Sequence, residues 1–513
     1  MNRQYKMMKI WVLIGLFSSV IFSCEKKLDP VIYGSLNDAN FFKTPADATA
    51  AVNAMYAGLM EGWNWSAGFG SGQGSWTVQS DQTTDQGLCN WDAGGSWKAL
   101  NALAFTPDFG PLTQHYSNLI PYISQITQNI AKIQGMSIDA ADKTQKIGEL
   151  KALRGFYMQV LFLYYGPVPV RLDPAQVNNL SAPTLPRPGQ TEMVNDIVKD
   201  FTDAIAALPD KITSGSDYGR FSKAACYTSL MKLYMQLKDW PNAIKAGEAV
   251  KAMGFALDPD YGDLFSYNNK NGNTETILPV VCSANPGNSN FVNIYRPHYL
   301  PSDYWDDGLR GTSDGGFVYE WGGYRMPWKT YDKFNPSDYR LKFLLQKYPT
   351  STDGGKTIVY KDARANGDIG AVMVKYGPDP TKGNAQNSGV NYVAMRYADV
   401  ELLLAEALNE QNGGPTAEAL TLLNDVHVTH GKLPAIAGGL NQADFRTAVQ
   451  NERLFELWAE GQRRDDLIRW GQYIQRAKND GHTNVDDHLI LYPLPRSVVN
   501  QSKGVIAQNP GYN

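Results

Sequence analysis

Apolar residues recur along this chain at steps of three and four in separate stretches, and the pattern fails in two long intervals. Ala48, Val52, Met55, Tyr56 and Leu59 form the first stripe and predict an amphipathic helix over 48–59. The same period returns over 115–133 and 141–165, the second run stopping at Gly166-Pro167. Residues 191–208 form another helix, closed by Pro209. Residues 220–237 and 241–253 make a close helical pair joined by Lys238-Asp239-Trp240, with Pro241 in the first turn of its helix, where a missing N–H costs nothing. Near the C-terminus, 396–410 is strongly helical and stops at Gly413-Gly414-Pro415. Helices over 416–427 and 442–460 follow, the latter continuing to Trp470, and Pro493 and Pro495 mark an extended tail. Between these stretches, 62–110 and 255–391 are rich in Gly, Asn, Asp, Tyr and Trp and show no period. Long intervals of this kind are expected as irregular, functional loops. Together the periodic stretches and their short hairpins predict a mostly α scaffold.

The first residues follow a different pattern. Arg3, Lys6 and Lys9 precede an apolar run over 10–22, too short for a bilayer span, which takes about 20 residues as a helix. A basic start and a short apolar run read as a secretory signal over 1–23. The run ends in Ile21-Phe22-Ser23-Cys24, which is similar to a lipobox and makes Cys24 the expected lipidated N-terminus. More than one acyl chain on such a cysteine gives stable anchoring. No second long apolar run follows. The other cysteines, Cys89, Cys226 and Cys282, are odd in number and far apart, so no disulfide framework is expected, and Cys226 reads as a small buried residue. A net charge of -4 provides no basic field for nucleic acid.

Several blocks resemble the SusD/RagB family of outer-membrane nutrient-binding lipoproteins. Leu28-Asp29-Pro30 and Phe41-Phe42-Lys43-Thr44 resemble its opening. Leu153-Arg154-Gly155-Phe156-Tyr157 and Gly166-Pro167-Val168-Pro169 resemble its Arg-aromatic helix and following turn, and Gly219-Arg220-Phe221-Ser222 its next helix start. Arg396-Tyr397-Ala398-Asp399-Val400-Glu401 through Ala407, then Glu452-Arg453 through Gly461 with Arg463 and Arg469-Trp470-Gly471, are the most recognisable, and Asn509-Pro510-Gly511-Tyr512 closes the chain. The resemblance implies a tetratricopeptide-like scaffold (46–61, 111–254 and 392–513) behind a lipidated tether (24–45), with ligand-facing insertions at 62–110 and 255–391. It also implies capture of an oligosaccharide or polysaccharide without turnover, a SusC-like TonB-dependent outer-membrane transporter as partner, and membrane attachment through the lipid. No cofactor or metal is implied. Charges at helical spacing in these blocks, Glu401 and Glu406, or Arg453 with Glu456 and Glu460, are expected to take part in ion pairs that hold helices and tail together.

Sugar rings have apolar C–H faces and polar edges, so a glycan binder needs displayed flat aromatics flanked by polar side chains. The composition is 12% aromatic, with 12 Trp and 28 Tyr. The first interval carries Trp63, Trp65, Trp76, Trp91 and Trp97 among Gln79, Asp81, Gln82, Asp85, Asn90 and Asp92. The second carries Tyr295, Arg296, Tyr299, Tyr304, Trp305, Asp306, Trp321, Tyr324, Arg325 and Trp328. Local density and polarity select Trp76, Trp91, Trp305, Trp321 and Tyr324 as sugar platforms, with Asp81, Asp85 and Arg325 as polar partners. Within the same family a RagB-type peptide binder, or a structural transporter partner without a ligand, are the alternatives; the tryptophans favour sugar.

Asp81 with Asp85, or Asp306 with Asp307, could be cast as a glycosidase pair, but carboxylates bonding sugar hydroxyls are simpler. No Gly-x-Ser-x-Gly, His-Glu-x-x-His or Walker loop is present. His427 and His430 are expected at an exposed helix end, and Asp362, Asn366 and Asp368 around Gly367 fit a polar turn as well as a calcium loop.

Overall fold

The computed structural model describes residues 41–59, 68–70, 72–91, 95–284, 295–305, 321–353, 356–381 and 388–512. The signal and lipidation readings at 1–23 and Cys24 lie outside them, as do Trp63, Trp65, Asp92, Asp306 and Asp307. Among the described residues no helix is long and apolar enough to cross a membrane.

The helical stretches form where the periodicity puts them, and their ends are set by local chemistry. α1 (Pro45–Tyr56) opens with a capping box: Thr44 accepts the Asp47 N–H, and Asp47 accepts the Thr44 N–H at 2.7 Å. The first aperiodic interval is not an irregular loop. It holds α2 (Trp76–Gln82), β1 (Leu88–Cys89) and α3 (Ser96–Asn101). α4 (Gly110–Gln134) and α5 (Ala140–Tyr165) follow, the latter capped by Asp139 and ended by Gly166 at φ +71°. α6 (Gln190–Ala207) packs on α5, where Arg154 grips Asp200 through two hydrogen bonds of 2.7 and 2.8 Å. A Cβ at the adjoining Gly155 would stand 3.3 Å from Asp200 Cβ, so glycine lets the helices approach. α7 (Lys223–Leu237), capped by Ser222, and α8 (Trp240–Lys251), capped by Asp239, extend the stack.

The second interval is also structured. β2 (Thr276–Val280), the one-turn α9 (Tyr295–Tyr299), β3 (Tyr324–Pro327), β4 (Leu344–Leu345), β5 (Lys347–Thr350), β6 (Val359–Asp362), β7 (Gly370–Met373) and β8 (Tyr392–Arg396) make three small sheets. β2 pairs with β8, β5 with β6, and the order β1-β3-β7-β4 joins the two intervals in one sheet. The Asp362–Gly367 turn is polar: Asp362 accepts the Ala365 N–H at 3.0 Å while Asp368 turns away to Arg325. α10 (Tyr397–Asn412) then packs on α8, so the stack resumes across the insertion, and α11 (Ala417–Thr429) and α12 (Gln442–Glu456) pack on α10. The chain is mostly α, as expected.

The centre is ionic. Arg396 donates to Glu275, Glu456 and Glu460; Arg340 donates to Asp338, Glu452 and Glu456; Lys375 donates to Glu460 at 2.6 Å. All are at most 3% exposed. The expected pairing of Arg453 with Glu456 and Glu460 is replaced by pairing across elements, Arg453 gripping Asp399 and Asp466. Glu406 pairs with Arg469. Glu401 instead meets Asp425; burial, then that like charge, raises it to about 10. His430 is not at an exposed end but fully buried. Its Nδ1 donates to Glu456 at 2.7 Å and its Nε2 to the Asp258 carbonyl at 3.1 Å.

This centre also breaks a helix. The run expected from 442 to Trp470 ends at Glu456, because the Glu456 carbonyl accepts from Tyr261 Oη, Arg396 Nη2 and Lys375 Nζ rather than from a helical N–H. The chain turns through Ala459 (φ +58°) and Gly461 (φ +78°) and resumes as α13 (Arg463–Arg469) and α14 (Tyr473–Asn479). Arg464 lies over the Tyr164 and Tyr492 rings, and Tyr492 N–H donates to the Tyr164 carbonyl at 2.6 Å, fastening the tail to the end of α5.

Two outcomes test this centre. Glu456→Gln leaves buried cations uncompensated and is expected to cost about 3–5 kcal/mol in denaturant unfolding. Burial opposes the charge on His430, but Glu456 and Glu275 outweigh it and hold the group at about 10, above its ordinary 6.5. Its stabilisation is therefore complete below pH 6.5 and lost as pH rises to about 10. The stability advantage of the native chain over His430→Gln should shrink across that window; a constant difference would exclude a charged His430.

Candidate functional site

The pairing of β1 with β3 brings the aromatic residues of the two intervals together. Cys89 lies opposite Tyr324, the Asn90 N–H donates to the Gly323 carbonyl at 2.7 Å, and Trp91 Nε1 donates to the Trp321 carbonyl at 2.8 Å. The Gly323 N–H donates to the His298 carbonyl at 2.8 Å, which adds α9. The rings then form a bowl. Trp91 stands 5.8 Å from Trp97, 5.3 Å from His298, 6.4 Å from Trp321 and 5.4 Å from Tyr324, at interplanar angles of 53–76°. His298 and Trp321 lie 4.8 Å apart. Trp91, Trp97 and Trp321 are half-buried; His298 and Tyr324 are buried beneath them. A Cβ at Gly323 would fall 2.5 Å from the Trp91 ring, so that ring rests directly on backbone. Exposed Asn90, donating to the Gly322 carbonyl and to Asp368, supplies a polar edge.

A tyrosine stack carries the bowl. Tyr295 lies 4.7 Å from Tyr376 and 5.4 Å from Tyr392, nearly parallel to the latter at 14°. Tyr295 Oη donates to the Gly70 carbonyl, and the Tyr392 and Thr77 hydroxyls share a 2.5 Å hydrogen bond. Burial, and then neighbouring phenols, push the Tyr295 hydroxyl well above the usual range, so it acts as a neutral donor. Beneath it, Lys375 contacts the Phe265 and Trp458 rings at 4.5 and 4.6 Å. Burial lowers Lys375 to about 8, with Glu460 pulling the other way.

Of the expected site residues, Trp91, Trp321 and Tyr324 meet in this bowl. Trp76 does not: it is 4% exposed, packs edge-on against Phe69 and Phe156, and donates from Nε1 to His115 Nδ1 at 3.0 Å. That contact places the His115 proton on Nε2, which Gln79 accepts at 2.7 Å, and burial lowers His115 to about 3. Asp81 is also internal. Neither carboxylate oxygen has a hydrogen-bond partner among the described residues; burial raises it well above the carboxylate range, against the pull of Lys375, and keeps it neutral. Asp85 is 5% exposed and grips Arg463 at 2.8 and 2.9 Å; burial opposes its charge, but Arg463 outweighs burial and holds it well below the carboxylate range. Arg325 is 3% exposed and committed to Asp368 and the Tyr299 and Tyr324 carbonyls. All four are buried, unlike the half-buried tryptophans of the bowl. Trp305 is half-buried, its backbone N–H donating to the Pro349 carbonyl on β5. His298 was not among the expected residues; its position between Arg296 and Tyr299 in the aromatic interval was the available signal.

Glu275, His430 and Glu456 lie close enough to resemble a metal-ligand set. Their chemistry does not fit one: both His430 nitrogens donate, and Arg396 occupies both carboxylates.

The helical stack with its two inserted segments has known counterparts. Residues 248–512 match the SusD family and residues 38–235 a family described as "Starch-binding associating with outer membrane". The chain belongs to the SusD family. It is 25% identical to SusD-like protein P2 of Formosa agariphila across 99% of this chain and all of that protein, and 26% identical to SusD-like protein P38 of the same organism across 92% and 93%. Among solved structures, a SusD homolog from Bacteroides thetaiotaomicron superposes with a TM-score of 0.76 at 22% identity, covering 93% of this chain and 99% of that one. A laminarin binding SusD-like protein gives 0.73 at 24%, covering 92% and 100%. Surface glycan-binding protein A from Bacteroides thetaiotaomicron, in complex with laminarihexaose, gives 0.70 at 19%, covering 90% and 99%.

Gly323→Ala is expected to lift Trp91 off its backbone seat. It should alter the near-UV circular dichroism of the tryptophans and cost about 1–3 kcal/mol of stability while leaving far-UV helicity unchanged.

Proposed function

We propose that the protein captures a glycan at the cell surface without cleaving it, and that the bowl of Trp91, Trp97, His298, Trp321 and Tyr324 is the binding site. The observation that carries this reading is the half-burial of three tryptophans in one cluster of rings. Each ring is fixed by its neighbours yet keeps surface for the C–H face of a sugar, so little side-chain entropy is lost on binding. The edge formed by Asn90 suits sugar hydroxyls. The description of the N-terminal family and the laminarin-binding and glycan-binding proteins among the similar structures support a carbohydrate ligand. Binding without turnover is supported by the fate of the two acids expected in the first interval: Asp81 is buried and Asp85 is buried and locked to Arg463, so neither is placed to act across a glycosidic bond. In this reading residues 1–23 are removed, Cys24 carries the lipid, 24–45 is the tether, and the captured glycan passes to a SusC-like TonB-dependent transporter in the outer membrane.

A panel of polysaccharides that includes laminarin, together with a peptide mixture, tests this on the intact chain purified in detergent, with calorimetry on each hit. One glycan class should bind, Trp321→Ala and Trp91→Ala should each weaken it by about tenfold, or ~1.4 kcal/mol, and no shorter product should form. Binding of peptides alone, or glycan affinity untouched by both substitutions, would overturn the reading.

A further inference from the structure

A second cleft, of about 290 Å3, opens where α12, α13 and α14 meet the segment after α2. It shares no lining residue with the aromatic bowl. Its walls include Asp85, Lys333, Arg463 and Arg476, with the neutral amides of Gln450 and Gln475. The positive groups outnumber the negative. Arg463 and Lys333 share Asp85, at 2.8 and 3.5 Å, and Arg476 and Lys329 share Asp480. Four cations are thus served by two carboxylates. The guanidinium groups are also incompletely used. Arg463 spends Nε and Nη2 on Asp85, and Nη1 has no acceptor among the described residues. Arg476 spends Nη1 on Asp480 and Nη2 on the Thr83 carbonyl, and Nε has none. They are 6% and 9% exposed, so each carries an unpaired donor nitrogen away from bulk water, a costly arrangement unless an acceptor arrives.

We propose that this cleft is a second binding site that takes an oxyanion, either the carboxylate or sulfate of an acidic sugar or the same group free in solution. An oxyanion offsets the excess positive charge of Arg463 and Arg476 and accepts from the exposed Lys333 ammonium. Neutral amides on the same walls suit the hydroxyls of a sugar bearing that group. The field is visible in the neighbouring groups: burial lowers both Lys329 and His482, and for each Arg476 lowers it further. Lys333, half exposed at 49%, stands at the mouth as the accessible cation. The bowl would take the apolar face of a glycan and this cleft its charge, on separate residues.

Calorimetry of the intact chain in detergent with sodium glucuronate, sodium sulfate and glucose tests the site. Both anions should bind saturably, more weakly as sodium chloride rises, and glucose should not. Lys333→Gln should weaken anion binding by about tenfold and Lys333→Glu should abolish it, whereas Trp91→Ala should leave it unchanged, which separates this site from the bowl. Glucuronate binding tighter than sulfate assigns the group to a sugar; equal binding assigns it to a free oxyanion. No saturable binding of either anion, or binding indifferent to Lys333→Glu, would overturn the proposal.

Discussion

Glu456 and the cations around it form the constraint on which the rest depends. Arg396 and Arg340 share its carboxylate with His430, and its carbonyl is taken by Tyr261, Lys375 and Arg396. Charges this deep cost several kcal/mol each to desolvate, so the cluster is tolerable only with nearly every partner in place. That requirement fixes where α12 ends. The turn it forces seats Gly461 against Thr77, lets Arg464 N–H donate to Ser80, and leaves the Leu454 carbonyl to accept from Gln86. The segment from Gln73 to Gln86 is held from the C-terminal side of the molecule, and β1 and the bowl follow from its position.

The scaffold was legible because its physics is local. The observed bounds of α5, Ala140–Tyr165, differ by one residue from those read from the sequence, since Asp139 and Gly166 mark both ends in any context. The first interval was misread for a physical reason. Residues 72–87 are all buried, but apart from Trp76 and Val78 the buried side chains are polar: Gln73, Ser75, Thr77, Gln79, Ser80, Asp81, Gln82, Thr83, Thr84, Asp85 and Gln86. Their environment is a set of hydrogen bonds to distant scaffold groups, such as Gln79 to the Pro111 carbonyl and Arg476 to the Thr83 carbonyl. Hydrophobic periodicity cannot register a segment that enters the core through its polar groups, and its acids were read as displayed.

The site divides along the same line. Trp91, Trp321 and Tyr324 stood out as aromatics among glycines, and Gly323 shows why glycine accompanies them: a ring lies where a side chain would be. Trp76 had the same neighbourhood in sequence and the opposite fate, because one partner, His115 on α4, draws its indole N–H inward. Arg325 and Asp85 were expected to be displayed and are buried. Each meets a complementary charge inside the protein, which no spacing of the linear chain reveals.

The hydrogen bond from Trp91 to the Trp321 carbonyl joins residues 230 positions apart, and Asp85 is held by a residue 378 positions away. Contacts of such sequence separation form only after the entropy of closing the intervening loops has been overcome, and so late in folding. During synthesis the tryptophans of the first interval are made long before the strand, the histidine or the arginine that position them. An incomplete chain therefore has no weakened version of the bowl. Under the proposed function the capacity to hold a glycan arrives with the finished molecule, so glycan binding would serve as an assay of complete folding.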